Sequence, residues 1–125
     1  MSIRPIARDF WSAELDSFSR RHEGWLVSIK TRTSKGDSAI EVHDLPLQGV
    51  SLMSHGASDI AVAVGDTERH FEHDIHDVVA VCLDQTAEEA QRALIIDARD
   101  GSTTTIEFRS PMRAEEVDGL PAAPR

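Results

Sequence analysis

Three histidines recur at intervals of three residues, at His70, His73 and His76, with carboxylates interleaved among them. Imidazole and carboxylate groups together bind borderline metals and serve as general acids and bases. Side chains alternate along a strand, however, so His70, Glu72 and His76 should share one face while His73 lies on the other. Extended geometry spreads the three over about 20 Å, which is too far for one ion. The spacing therefore favours a solvated polar face, with no metal or other cofactor.

The same segment supports a second interpretation, an enzyme in which His70–Asp77 supplies metal-assisted or acid–base catalysis. His73 is its candidate general base, yet His73 shares a predicted face with Phe71 and Ile75. That neighbourhood favours a partly buried histidine bonded to backbone. Cys82 is the only cysteine and lies within an apolar run, so it is expected in the core rather than as a nucleophile. Whether the protein is an enzyme stays open at this point.

A basic segment, Arg20–Lys35, is the main concentration of cations in the chain. Arg20, Arg21 and His22 fall at the predicted C-terminal end of a helix, where positive charge is favourable, and this position is enough to explain them. The alternative is a nucleotide or RNA binder in which Trp25 stacks on a base beside these cations. The net charge of −9 repels phosphate backbones, so nucleic acid is a disfavoured partner.

The charges are divided unevenly along the chain. Residues 1–35 hold seven Lys and Arg against four Asp and Glu, whereas residues 36–125 hold six against eighteen. Opposite net charges attract, within one molecule or between two copies. A homo-oligomer is therefore the expected assembly.

The length of 125 residues predicts one domain, which we place at residues 1–120, followed by a disordered Pro-containing tail at residues 121–125. The first residues lack the apolar stretch of a signal peptide. No apolar run approaches the twenty or so residues that cross a bilayer. We therefore expect a soluble, cytoplasmic protein with no membrane partner.

Hydrophobic periodicity predicts one amphipathic helix over residues 10–22. Asp9 is expected to cap its start, and Gly24 lies where the helix should stop. The residues of its apolar stripe are Trp11, Leu15, Phe18 and His22.

From Trp25 onward the period changes to two, which predicts a series of antiparallel strands. Val78–Leu83 is continuously apolar and is expected to be a central strand covered on both faces. Pro46 interrupts Leu45–Leu52, which is expected to be irregular or an edge. A capping-box pattern at Thr86–Glu89 predicts a helical turn. The other predicted strands are residues 25–32, 39–43, 60–64, 69–75, 92–98 and 103–108, with a tight turn at residues 100–101.

These elements predict an α+β fold. The N-terminal amphipathic helix should pack on an antiparallel sheet of six or seven strands, a partial barrel being one form open to such a sheet.

The segment from Trp11 to Val27 also carries a longer pattern, Trp-x-x-x-Leu-Asp-x-Phe-Ser-Arg-Arg-His-x-Gly-Trp-Leu-Val. Shorter pieces follow at Leu45–Val50 and from Asp97 to Gly101. This pattern resembles a bacterial family of small domains of unknown function, over most of the chain. The resemblance implies one intact domain and assigns no activity, ligand or site residue.

No catalytic constellation stands out from these patterns, so we expect a small, non-enzymatic binding or assembly module. The candidate binding residues are Arg20, Arg21, His22, Trp25 and His73. The candidate metal ligands are His70, Glu72 and His76.

Overall fold

The computed structural model describes residues 2–53, 58–66, 68–85 and 90–113. Within them one α-helix follows an initial strand and a short 3-10 turn at Arg8–Phe10. The elements are β1 (Ser2–Ile6), α1 (Trp11–His22), β2 (Leu26–Arg32), β3 (Ser38–Leu52), β4 (Ile60–Gly65), β5 (His70–Ile75), β6 (Val78–Gln85), β7 (Ala90–Ala98) and β8 (Thr103–Arg113).

The described strands form one open antiparallel sheet in the order β1-β6-β7-β8-β2-β3-β4-β5. The helix α1 packs on one face of this sheet, which confirms the predicted α+β fold with more strands than expected. The helix is short, and among the described residues no helix has the length and apolarity to cross a membrane.

The sheet bends strongly because β5, at one edge, connects to β6, next to the other edge, through His76 and Asp77 alone. The Val78 N–H donates to the Ser58 carbonyl (2.6 Å), so β6 begins against the residues before β4. Asp77 has a φ of 56°, the left-handed conformation that such a sharp connection requires. The bend gives the sheet a concave face for α1.

The apolar stripe of α1 fills that face as predicted, and Trp11, Leu15, Phe18 and His22 are all buried. The Trp11 indole also donates to the Ile6 carbonyl (2.9 Å), which ties the helix to β1. The residues that the sheet contributes to the hydrophobic core are Ile6, Val27, Ile29, Val42, Leu47, Val50, Ile60, Val62, Val64, Ile75, Val78, Val81, Leu83, Leu94, Ile96, Ala98, Ile106 and Phe108.

The C-terminal end of α1 is as the sequence predicts, whereas its N-terminal end is not. Gly24 follows the helix with a φ of 86°, as a helix-stopping glycine should. The expected Asp9 cap is wrong, because Asp9 lies in the 3-10 turn and Phe10 precedes the helix without a side-chain cap. The 3-10 turn supplies the first hydrogen bond instead, from the Phe10 N–H to the Ala7 carbonyl (2.9 Å).

The expectation of an irregular or edge segment at Leu45–Leu52 is correct only in part, because the segment is a regular part of a strand that pairs on one side beyond Pro46. These residues continue β3, which pairs with β2 along its first part and with β4 along its second. Asp44, with a φ of 53°, turns the chain at the point where the register shifts. Pro46 has no N–H to give, and the Leu47 N–H makes the bond to the Trp25 carbonyl (2.8 Å) instead.

The expectation that Val78–Leu83 is covered on both faces is also wrong. Burial alternates along β6, and Val79, the extra residue at a bulge, is 50% exposed. Small side chains, Ala80 and Cys82, make up its open face, so this strand needs no second cover. The first strand, Ser2–Ile6, was not predicted, because its pairing with β6 is long-range. The predicted helical turn at Thr86–Glu89 and the tail at residues 121–125 lie outside the described residues.

Candidate functional site

One face of the sheet holds α1 and the core, while the described residues place no element over the opposite face. Cross-strand pairing gives this uncovered face an ordered row of side chains. In order from β1 to β3 the row is Pro5, Cys82, Ile95, Thr105, Lys30 and Ile40.

An open groove of about 430 Å³ lies on the uncovered face, between the β2–β3 and β7–β8 hairpins. We call it the face groove. Ile40 is 63% exposed in it and contributes apolar surface to the groove. The lining residues are Lys30, Thr31, Arg32, Ser38, Ala39, Ile40, Ile95, Thr103 and Thr105.

The two cations of the face groove differ in their partners. The Lys30 Nζ lies 2.9 Å from Glu107 Oε1, so its charge is already balanced. Arg32 is exposed and has no ion pair within the described part of the chain. The Thr103 hydroxyl donates to Asp97 Oδ1 (2.8 Å), which fixes the β7–β8 side of the groove. Arg32 is therefore the cation free to meet an anionic group.

The basic segment predicted from the sequence does not form one surface. Arg20 pairs with Asp16 on the helix, and Arg21 is half-buried beside it. Lys30 and Arg32 lie across the sheet on the uncovered face. The prediction of a nucleotide or RNA site through Trp25 stays a prediction, with its cations divided between two faces.

Trp25 and His22 lie together at the C-terminal end of α1, in a cluster of rings with Phe18 and Phe108. We call these four residues the aromatic box. The His22 ring stacks on Phe108 with centroids 4.3 Å apart, and it meets the Trp25 ring edge-on at 5.2 Å. His22 is 0% exposed, so this candidate binding residue contributes no surface to a partner.

Burial sets the electrostatics of His22. Desolvation lowers its pKa from 6.5 to about 4, assisted by the charge of Arg21 and opposed by a backbone hydrogen bond. That bond runs from Nδ1 to the Phe18 carbonyl (2.8 Å) and fixes the proton of the neutral ring on Nδ1. Nε2 is buried and has no partner among the described residues.

The histidine-rich segment alternates along β5 as the sequence predicts. His70, Glu72 and Asp74 are exposed, and His73 is half-buried on the other face, its ring 6.3 Å from that of Phe71. A hydrogen bond and charge repulsion from Asp74 raise the pKa of Glu72. The two exposed carboxylates therefore place negative charge side by side on β5.

His76 lies beyond the strand, with its Nδ1 3.2 Å from Asp59 Oδ2. A hydrogen bond from the Asp77 N–H lowers the pKa of Asp59, and the contact with His76 lowers it further. No group of three His, Cys, Asp or Glu side chains within the described ranges is arranged to hold a metal ion. Of the three predicted metal ligands, His70 and Glu72 share the exposed face of β5, whereas His76 lies beyond the strand against Asp59.

Cys82 is half-buried on the uncovered face rather than packed in the core. Burial and the charge of Asp97 raise the pKa of its thiol, which keeps it protonated. Sequence reasoning missed Ile40, Thr103 and Thr105 as surface features. The period of two along a strand predicts that Thr103 and Thr105 share one face, but it does not predict which face of the sheet stays uncovered.

A family model matches residues 2–117. The chain belongs to DUF5335, a family of unknown function. No curated protein and no solved structure matches it. The function of this DUF5335 chain is therefore inferred from its own surfaces.

Proposed function

We propose that this DUF5335 chain is a non-enzymatic assembly module that binds a second copy of itself through the face groove. The observation that carries the proposal is Arg32, a cation without an ion pair among the described residues, beside the exposed Ile40 in a chain whose net charge is −9. A strongly acidic protein that concentrates a free cation and apolar area in one groove is complementary to its own remaining surface.

The acidic edge of β5 is the surface that the groove fits best. Glu72 and Asp74 are exposed there, and the described residues place no strand beyond β5. Asp74 disfavours the charge of Glu72, because a hydrogen bond and charge repulsion from Asp74 raise the pKa of Glu72. A cation from a second copy relieves this repulsion. If each copy offers both its groove and its edge, two copies close into a symmetric dimer.

Sedimentation velocity over a range of protein concentrations, at low salt, tests this proposal. The wild-type protein should show a mass that rises toward the dimer, and the rise should weaken as salt screens the contact. Arg32→Glu should weaken self-association at least about tenfold, because it places like charges opposite each other. Arg20→Glu makes the same charge change on the helix side and should leave association unchanged.

Charge-swap mixing makes the test specific. Arg32→Glu alone and Glu72→Lys/Asp74→Lys alone should each stay monomeric, while a mixture of the two variants should associate, since both contacts are then attractive. A wild-type protein that is monomeric at about 1 mM, where even a 4 kcal/mol association would show, contradicts the proposal. So does a mixture of variants that stays monomeric.

A further inference from the structure

The aromatic box holds a titratable group at the point where α1 meets the sheet. His22 ends the helix, Trp25 begins the path into β2, and Phe108 lies on β8. The ring centroid of His22 is 4.6 Å from that of Phe18, 5.2 Å from Trp25 and 4.3 Å from Phe108. The imidazole therefore forms part of the packing between three elements.

The hydrogen bonding of His22 suits only its neutral form. Nδ1 donates to the Phe18 carbonyl, so the lone pair is on Nε2. Nε2 is buried and unpartnered within the described residues. A second proton would create both a buried positive charge and a buried N–H without an acceptor. Each carries a large desolvation cost.

The charged groups around the box do not offset such a charge. On α1 the adjacent Arg21 is a cation and lowers the pKa of His22 further. Glu23, just beyond the helix, is exposed. On β8 the neighbours of Phe108 are Glu107 and Arg109, which alternate toward the other face, where Glu107 pairs with Lys30.

The strand β3 meets the residues that follow this end of the helix through the backbone of the uncharged Leu47. The Gly24 N–H donates to the Leu47 carbonyl of β3 (2.8 Å), and the Leu47 N–H donates to the Trp25 carbonyl (2.8 Å). Gly24 has a φ of 86° and open space around its Cα, so it is a natural pivot between α1 and β2.

The rest of α1 is attached independently of His22. At its start, the Trp11 indole donates to the Ile6 carbonyl. Nearer its end, one turn before His22, the Ser19 hydroxyl bonds to both the N–H and the carbonyl of Val50. Loss of the His22 packing would therefore loosen the helix beyond Ser19, residues 20–22, while the helix up to Ser19 stays docked.

We propose that His22 is an acid-sensitive latch, which holds the end of α1 beyond Ser19 against Trp25 and Phe108 when neutral and releases that end when protonated.

NMR titration of the intact protein tests the latch directly. The ring protons of His22 and the two indole N–H signals are followed from pH 7 downward. His22 should titrate at about 4 rather than 6.5, and the Trp25 indole should shift with the same midpoint. The Trp11 indole, at the far end of the helix, should keep its native shift over that step. A His22 that titrates near 6.5 while the Trp25 signal stays constant would overturn the proposal.

Two neutral variants separate the latch from general acid unfolding. His22→Phe keeps an aromatic ring and His22→Leu keeps apolar volume, and in either one the acid step of Trp25 should disappear. His70→Gln, which removes an exposed histidine of β5, is the matched control and should retain the step at the wild-type midpoint. Persistence of the step in the folded neutral variants refutes the latch. If neither variant folds, the wild-type titration decides the question by itself.

Discussion

At the scale of single residues, the Ser19 hydroxyl makes the backbone hydrogen bonds to β3 that a neighbouring strand would otherwise make. Beyond Pro46, β2 no longer pairs with β3, and that edge of β3 faces the helix. The Ser19 Oγ accepts from the Val50 N–H (2.7 Å) and lies 2.9 Å from the Val50 carbonyl. It also lies 2.8 Å from the Leu15 carbonyl of its own helix. One small side chain thus satisfies the backbone at the point where α1 and β3 pack.

Replacing Ser19 by alanine should destabilise the protein by about 1–3 kcal/mol, because the N–H of the buried Val50 is left without a partner. Urea unfolding at neutral pH measures the change. Ser12→Ala, in an exposed position on the same helix, should be neutral or slightly stabilising, since alanine is the better helix former. Equal unfolding midpoints for the two variants would contradict the role given to Ser19.

At the scale of elements, the β2–β3 and β4–β5 hairpins each contain a glycine with a positive φ. Gly65 ends β4 with a φ of 114°, and a Cβ there would lie 1.9 Å from the Arg69 carbonyl oxygen. Gly36, in the β2–β3 turn, has a similar φ of 96°, but a Cβ there meets nothing within 4 Å. Both turns need a residue that can adopt a positive φ. Of the two, only the β4–β5 turn also lacks room for a Cβ.

Gly36→Ala should cost about 1–2 kcal/mol, the price of a left-handed conformation in an L-residue. Gly65→Ala should cost at least about 2 kcal/mol more, because the backbone of the β4–β5 turn must move to admit the methyl group. Urea unfolding of both variants beside the wild type measures the difference. Similar losses at the two positions would show that the close approach to Arg69 relaxes freely.

At the scale of the whole molecule, His22 links stability to pH. A cation at a helix C-terminus usually gains about 0.3–1 kcal/mol, yet here burial outweighs that gain and lowers the pKa to about 4. The unfolded chain has the ordinary value of 6.5, so between these values it binds more protons than the folded protein. The contribution of His22 is therefore complete above pH 6.5 and is lost as the pH falls toward 4.

Urea unfolding at pH 7 and at pH 4 should show that the wild type loses about 3 kcal/mol more than His22→Phe does over this range. The difference between the two proteins isolates His22 from the carboxylates, which titrate in both. Parallel losses in wild type and variant would mean that His22 does not carry this pH dependence.

Local sequence patterns predict much of the fold. The stripe from Trp11 to His22 predicts the helix to within a residue, because burial of one helix face depends only on spacing. The alternation along residues 70–75 gives the faces of β5, and residues 100–101 give the last turn. For the candidate site, the sequence pointed to Arg32 as part of a basic segment and to His22 as part of the stripe.

The tertiary structure alone decided what these residues do, because strand pairing and the choice of covered face depend on contacts far apart in the chain. With α1 on the concave face of the described sheet, the other side of β6 stays open. The face groove needs four strands in register, and the burial of His22 needs Phe108 from β8. Local periodicity determined which residues share a face. Long-range packing determined which face meets water, and hence which cation is free and which histidine is sealed.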